Sequence, residues 1–171
     1  MSEHVKTDLG QMFRAPGVRF ERRLPGPIEK VWAHLTQPGE LPGWYGAGSV
    51  IEPRVGGRVE LNDGHIRGVV TQWRAPSKLA HTWNVFGPGD TVSPYPESYL
   101  TIELAADGDA VALTLVHLPV LERFESQNAM GWATFLDILG ATAKGEAVRP
   151  RRDYMEKNAA LYGVDLANLQ R

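Results

Sequence analysis

The sequence predicts an α+β fold: an antiparallel sheet of about six strands, a short helix after the first strand, and a long apolar helix that covers the sheet. Three observations carry this. Residues 49–118 break into short segments of alternating polarity, the period of half-buried strands. Two Asp-Gly pairs, Asp63-Gly64 and Asp107-Gly108, stand between such segments, and tight hairpin turns need the positive φ that these residues tolerate. Residues 126–145, SQNAMGWATFLDILGATAKG, then switch to helical spacing with a wide apolar arc. A run of strands with helices at its ends marks α+β rather than alternating α/β architecture.

Taken in order, residues 1–17 read as a lead-in, 18–148 as the domain and 149–171 as a helical extension. VRFERRL, residues 18–24, alternates Val18, Phe20, Arg22 and Leu24 against charged neighbours and reads as a strand. Pro27 suits a first helical position, Ile28, Val31, Trp32 and Leu35 follow at helical spacing, and Pro38-Gly39 ends the helix. LPGWYGAG, residues 41–48, is a loop or a short helical turn. SVIEPRVGGRVEL, residues 49–61, is a strand pair or a bent strand with Gly56-Gly57 at the bend. Further strands follow at GVVTQW, LAHTWNVF, SYLTIEL and AVALTLVHL, with a proline- and glycine-rich loop over residues 87–97. The long helix takes Ser126 as N-cap and Gly145 as its stop; a last helix takes Asp153 as N-cap and Gly163 as its stop.

Composition excludes several classes. A chain of 171 residues fits one domain with a full core. With no cysteine there is no disulfide, no thiolate metal site and no Cys nucleophile. A net charge of −2 gives no general attraction to nucleic acid or to anionic membrane. The compact basic cluster Arg149, Arg151 and Arg152 reads as a solvated connector. MSEHVKTDLG has no apolar signal core, and the longest apolar stretch, 111–121, is too short to span a bilayer, so a cytoplasmic protein is expected.

The blocks KVWAHLTQPGELPGWYG, EPRVGGRVEL, GVVTQWRAPSKLAHTW, SYLTIELAADGDAVALTLVHLPV and GWATFLDILGATAKG, in that order, resemble the SRPBCC (START-like, Bet v 1-like) superfamily. The branch is the one similar to the activator of Hsp90 ATPase homologue. The resemblance covers about residues 18–146 and implies a helix-grip fold, a curved sheet wrapped on the long helix with a hydrophobic cavity between them. That fold hosts carriers, cyclases, oxygenase domains and a co-chaperone module, so it does not fix function.

Strand parity supplies candidate cavity walls. Leu79, His81, Trp83 and Val85 share one face; Ser98, Leu100, Ile102 and Leu104 share the next; Val111, Leu113, Leu115 and His117 share the last. Met130, Trp132, Phe135, Leu136 and Leu139 face them from the helix. The resemblance puts Trp44 and Tyr45 near the cavity mouth. The ligand-binding candidates are therefore Trp44, Tyr45, His81, Trp83, Leu100, Ile102, Leu115, His117, Trp132, Phe135 and Leu136. Each has a plainer reading as packed core. Gln127 and Asn128 are polar groups near the mouth, Asp137 belongs on the long helix's narrow polar stripe, and His34 and His65 are expected to face solvent.

The five histidines show no metal-ligand spacing, no G-x-S-x-G elbow occurs, and GAGSVI and GPGDTV fail the dinucleotide fingerprint. No metal and no cofactor is expected. The leading expectation is binding of a small, mostly hydrophobic molecule without chemistry. The alternative is a cyclase- or hydrolase-like enzyme with His117 and His81 as acid/base and Tyr45 as donor. An Hsp90-type chaperone is the least favoured partner, because the activator's separate N-terminal domain has no counterpart in the chain. The extension, with Tyr154, Met155, Ala159, Leu161 and Tyr162 on an apolar side, is expected to dock on the body, close the cavity or join a homodimer interface.

Overall fold

The structure, a computed structural model, describes residues 10–170; the first nine residues of the lead-in, with His4, and Arg171 lie outside the described residues. Seven strands form one antiparallel sheet in the order β1-β7-β6-β5-β4-β3-β2. They are β1 (Val18–Pro25), β2 (Val50–Ile51), β3 (Arg58–Leu61), β4 (Ile66–Arg74), β5 (Lys78–Val85), β6 (Ser98–Asp107) and β7 (Ala110–Leu118). The helices are α1 (Ile28–Thr36), the short α2 (Leu41–Trp44), α3 (Glu125–Lys144) and α4 (Arg151–Tyr162). The sheet curls around α3, which is the helix-grip arrangement. The seventh strand is the two-residue β2, too short to leave an alternating pattern.

The inward rows follow strand parity. Leu79, His81 and Trp83 of β5, Ser98, Leu100, Ile102 and Leu104 of β6, and Val111, Leu113, Leu115 and His117 of β7 are all buried. Truncating a fully buried leucine such as Leu100 or Leu115 to alanine costs about 2–5 kcal/mol. In β4 the parity changes midway. The register with β5 shifts between Val70 and Gln72, a bulge in which β4 carries one extra residue. Ile66 and Val70 point inward before it and Trp73 after it, where the Trp73 ring meets Trp32 of α1 edge-on at 5.1 Å. Gly68 makes this stretch feasible, since a Cβ there would collide with the Thr82 carbonyl oxygen.

The turns hold two differences from the sequence expectation. The β6–β7 hairpin pairs Asp107 with Ala110, so its loop is Gly108-Asp109, with Gly108 at φ 63. The β3–β4 connection is a four-residue loop in which Asn62, Asp63 and Gly64 all take positive φ.

The helix starts also differ. Phe124, the last residue of a 3-10 turn at Glu122–Phe124, precedes α3 in place of Ser126, and Pro150 precedes α4 in place of Asp153, which falls in the first turn. Pro27 is the residue before α1 rather than its first. Neither α3 nor α4 has a side-chain cap; their ends are set by left-handed Gly145 and Gly163. After each glycine the next amide reaches back to the helix, Glu146 to the Ala141 carbonyl and Val164 to the Ala159 carbonyl, both at 2.9 Å.

α3 is buried on two sides, by the sheet and by α4. Its polar stripe is the seat for α4. Asp137 accepts from Lys157 Nζ and Asn158 Nδ2, each at 3.0 Å, and Thr134 Oγ1 lies 3.3 Å from Asn158 Nδ2. Asn158 is 2% exposed and Tyr154 6%, whereas Leu161 is 70% exposed and does not belong to the docking face. The end of the chain returns to the start of α3, where Gln127 exchanges two hydrogen bonds with the Gln170 backbone. The extension therefore docks along the body. No helix among the described residues is long and apolar enough to cross a membrane.

Candidate ligand-binding site

A cavity of about 1060 Å³ lies between the sheet, the first half of α3, the loop over residues 87–96 and the start of α4. This volume suits a drug-sized ligand. Five of the eleven sequence candidates line it: Tyr45, Trp83, His117, Trp132 and Phe135. Their rings form one connected wall. Tyr45 meets Phe135 at 5.4 Å, Trp132 at 6.1 Å and Trp83 at 6.4 Å; Trp83 meets Trp132 at 5.2 Å and His117 at 5.1 Å. Edge-on and tilted contacts at these separations suit the ring quadrupoles and hold the wall without a ligand.

The other six candidates do not line the cavity. Trp44, 1% exposed, lies behind Tyr45, stacked on it at 3.8 Å, with its indole Nε1 donating to the His34 carbonyl at 2.7 Å. Leu100, Ile102 and Leu115 are packed core between the sheet and the helices, as is His81. Leu136 belongs to the core and borders a smaller cleft under β1 and α4. Parity told which face these residues share, but not how far along that face the space extends.

His117 is held from both sides. Trp132 Nε1 donates to its Nδ1 at 3.0 Å, and Asn128 Nδ2 lies 3.3 Å from the same nitrogen. An indole N–H only donates, so Nδ1 is the acceptor and the ring is the neutral Nε2–H tautomer. Nε2–H then donates to Ser98 Oγ at 2.8 Å, and the Ser98 hydroxyl donates to the Trp83 carbonyl at 3.3 Å. Burial lowers the imidazole from 6.5 to about 4, the nearby His81 adds to this, and the Asn128 side chain opposes it. A proton on Nδ1 would face the Trp132 N–H. The ring is a fixed polar part of the wall, with both nitrogens already engaged.

His81 is 1% exposed, and burial lowers it from 6.5 to about 4, against a hydrogen bond from Nδ1–H to the Thr82 carbonyl at 2.8 Å. It shares a row with His117, but Leu100 stands between them: His81 pairs with Leu100 and Leu100 with His117. The two imidazoles share no hydrogen bond, which removes the geometric basis for a two-histidine acid/base pair. His34 is also inside, 8% exposed, with Nδ1 2.7 Å from Glu40 Oε2, against the expected solvent position; His65 is exposed, as expected. No group of three His, Asp or Glu side chains among the described residues is placed to hold a metal ion.

Two lining residues each carry a buried polar atom with no partner among the described residues: the Tyr45 hydroxyl and Asn128 Oδ1. Burial raises the Tyr45 phenol well above its ordinary value, so it is a neutral donor. A buried polar group without a partner costs about 1–3 kcal/mol, which a ligand's acceptor or donor would recover.

Sequence reasoning missed Arg151. Read as part of a solvated connector, it is half-buried: its Nη2 donates to the Trp44 carbonyl at 3.0 Å and its guanidinium lies 4.9 Å over the Phe135 ring. Arg149 and Arg152 are exposed. The available signal was the spacing of Arg151 and Met155, four apart and thus on one helix face; both line the cavity.

A family model described as "Activator of Hsp90 ATPase homolog 1-like protein" matches residues 25–144. The chain belongs to this family. Helix α4 lies beyond the part of the chain that the family model matches. Among solved structures, CalU16 from Micromonospora echinospora is 24% identical, with 87% of each chain covered and a TM-score of 0.68. A protein from Bordetella parapertussis is 25% identical, covering 95% of this chain and 94% of its own, with a TM-score of 0.69. An HSP90 activator from Plasmodium falciparum is 21% identical, covering 77% of this chain and 97% of its own, with a TM-score of 0.60. No curated protein matches the chain.

Proposed function

We propose that this family member binds a small, mostly hydrophobic molecule in the aromatic-walled cavity and performs no chemistry on it. The observation that carries this reading is the pairing of an apolar wall with an unpartnered Tyr45 hydroxyl on it. Apolar surface supplies the affinity, and the few polar groups orient the ligand. Tyr45 and Asn128 would each contribute a hydrogen bond to a carbonyl, hydroxyl or amine. The fixed, neutral His117 gives the wall shape and polarity rather than a proton in transfer. Nothing in the arrangement favours the acid/base alternative, since His81 is outside the cavity and both His117 nitrogens are taken. The likeness to an HSP90 activator, at 21% identity, speaks for the fold and not for a chaperone partner.

A thermal-shift screen over fatty acids, flavonoids and polyketide-like aromatics tests the reading. Flat aromatic compounds should raise Tm in a saturable, concentration-dependent way, by the mass action of a ligand that binds only the folded state. Absence of any shift across all three classes would remove the proposal.

A further inference from the structure

Resting on the cavity-binding reading above, we propose that the natural occupant is an amphipathic anion: an apolar ring system carrying one carboxylate or similar acid, which pairs with Arg151 at the cavity wall. The guanidinium has five N–H donors. Among the described residues only Nη2 is engaged, by the Trp44 carbonyl at 3.0 Å. The Phe135 ring 4.9 Å away covers one face of the group. No carboxylate among the described residues forms an ion pair with it, and burial alone bears on its ionisation, lowering it. Neither acid of the cavity lining pairs with it: Asp90 Oδ2 accepts from the Gly87 amide at 2.7 Å, and Glu122 is exposed on the 3-10 turn.

A half-buried cation on an apolar wall keeps donors exposed for an anionic group of a ligand. The planar fork matches a carboxylate in a bidentate manner, and burial strengthens that pair by excluding water. Phe135 serves both partners: one face of the wall carries the guanidinium, and the same ring belongs to the aromatic cluster with Tyr45 and Trp132. An acid on Arg151 would therefore place the ligand's apolar body against those rings. Arg151 stands on α4, outside the family match, so this selectivity is a property of the extension rather than of the shared grip.

The experiment titrates the full chain with two fluorescent probes that differ only by a sulfonate group, anilinonaphthalene sulfonate and its neutral parent N-phenylnaphthylamine. The proposal expects the sulfonate to bind about tenfold tighter, the effect of a charged hydrogen-bonded pair. Arg151→Met should abolish that preference, read as the ratio of the two affinities within one protein, while Arg151→Lys, which keeps the charge and loses the planar fork, should retain only part of it. Equal affinity for both probes in the wild type, or a sulfonate preference that survives Arg151→Met, overturns the anion proposal while leaving cavity binding intact. Failure of both probes to bind overturns the cavity reading itself. If Arg151→Met loosens α4, Arg151→Gln, which keeps a donor for the Trp44 carbonyl and removes the charge, should lose the preference in the same way, and a preference that survives it overturns the proposal.

Discussion

Replacing His81 with phenylalanine should flatten the acid side of the stability curve. In the folded chain, burial holds this imidazole at about 4, against 6.5 when it is free. The unfolded state therefore binds a proton first. Stability from this group is present in full above pH 6.5, falls as pH drops through the interval, and stops falling below about 4. At about pH 5 the loss works out to roughly 2 kcal/mol per histidine, from the ratio of the two proton-binding polynomials. His117, also at about 4, contributes a similar amount, so the wild type should lose about 4 kcal/mol between pH 7.5 and 5 from the pair. His81→Phe should lose about half as much, with carboxylate effects common to both proteins cancelling. Because His81 Nε2 has no partner and Nδ1 bonds only the adjacent backbone, the variant should match the wild type within about 1 kcal/mol at pH 7.5. Urea unfolding of both proteins at the two pH values measures this. An identical acid loss in the two proteins would refute the assignment of a neutral, buried His81.

Three further outcomes follow from the packing. Gly68→Ala should destabilise by about 2–3 kcal/mol in urea unfolding, since its Cβ would collide with the Thr82 carbonyl and the bulged β4–β5 pair must move; a loss under about 0.5 kcal/mol would contradict the close approach. Asn158→Ala should cost about 2 kcal/mol by leaving Thr134 and Asp137 short of a donor, while Leu161→Ala, at an exposed position, stays within about 0.5 kcal/mol; equal effects would mean that α4 does not dock by this face. Tyr45→Phe removes an unpartnered buried hydroxyl, so its Tm should hold or rise, equivalent to up to about 1 kcal/mol, and a clear fall would show that the hydroxyl already has a partner.

The grip was legible in the sequence because strand parity and helical periodicity are local signals. His117 on the row of Leu113 and Leu115 is the clearest instance, and its inward position needed no tertiary information. The β4 bulge was not legible: one extra residue moves Trp73 to the face that Gln72 would otherwise take, and only pairing with β5 reveals it. The cavity wall was half legible. Trp44 ends α2 and Tyr45 follows it; their rings stack at 3.8 Å, so that Tyr45 lines the cavity and Trp44 is sealed behind it, an order that sequence adjacency does not show. Arg151 was misread because charge spacing in a connector looks the same whether or not a distant ring, here Phe135, lies beneath it. His34 was misread for a similar reason: Glu40, beyond the helix stop, folds back to give it a partner.

The most direct test reads the five tryptophan indole N–H signals in a nitrogen–proton correlation spectrum while the neutral naphthylamine probe is added. Trp83 and Trp132 line the cavity, whereas Trp32 and Trp73 meet each other elsewhere in the core. A ligand in the aromatic cavity should move the Trp83 and Trp132 signals saturably and leave those of Trp32 and Trp73 in place. Signals that all stay still, or that move only at Trp32 and Trp73, would contradict the cavity as the binding site.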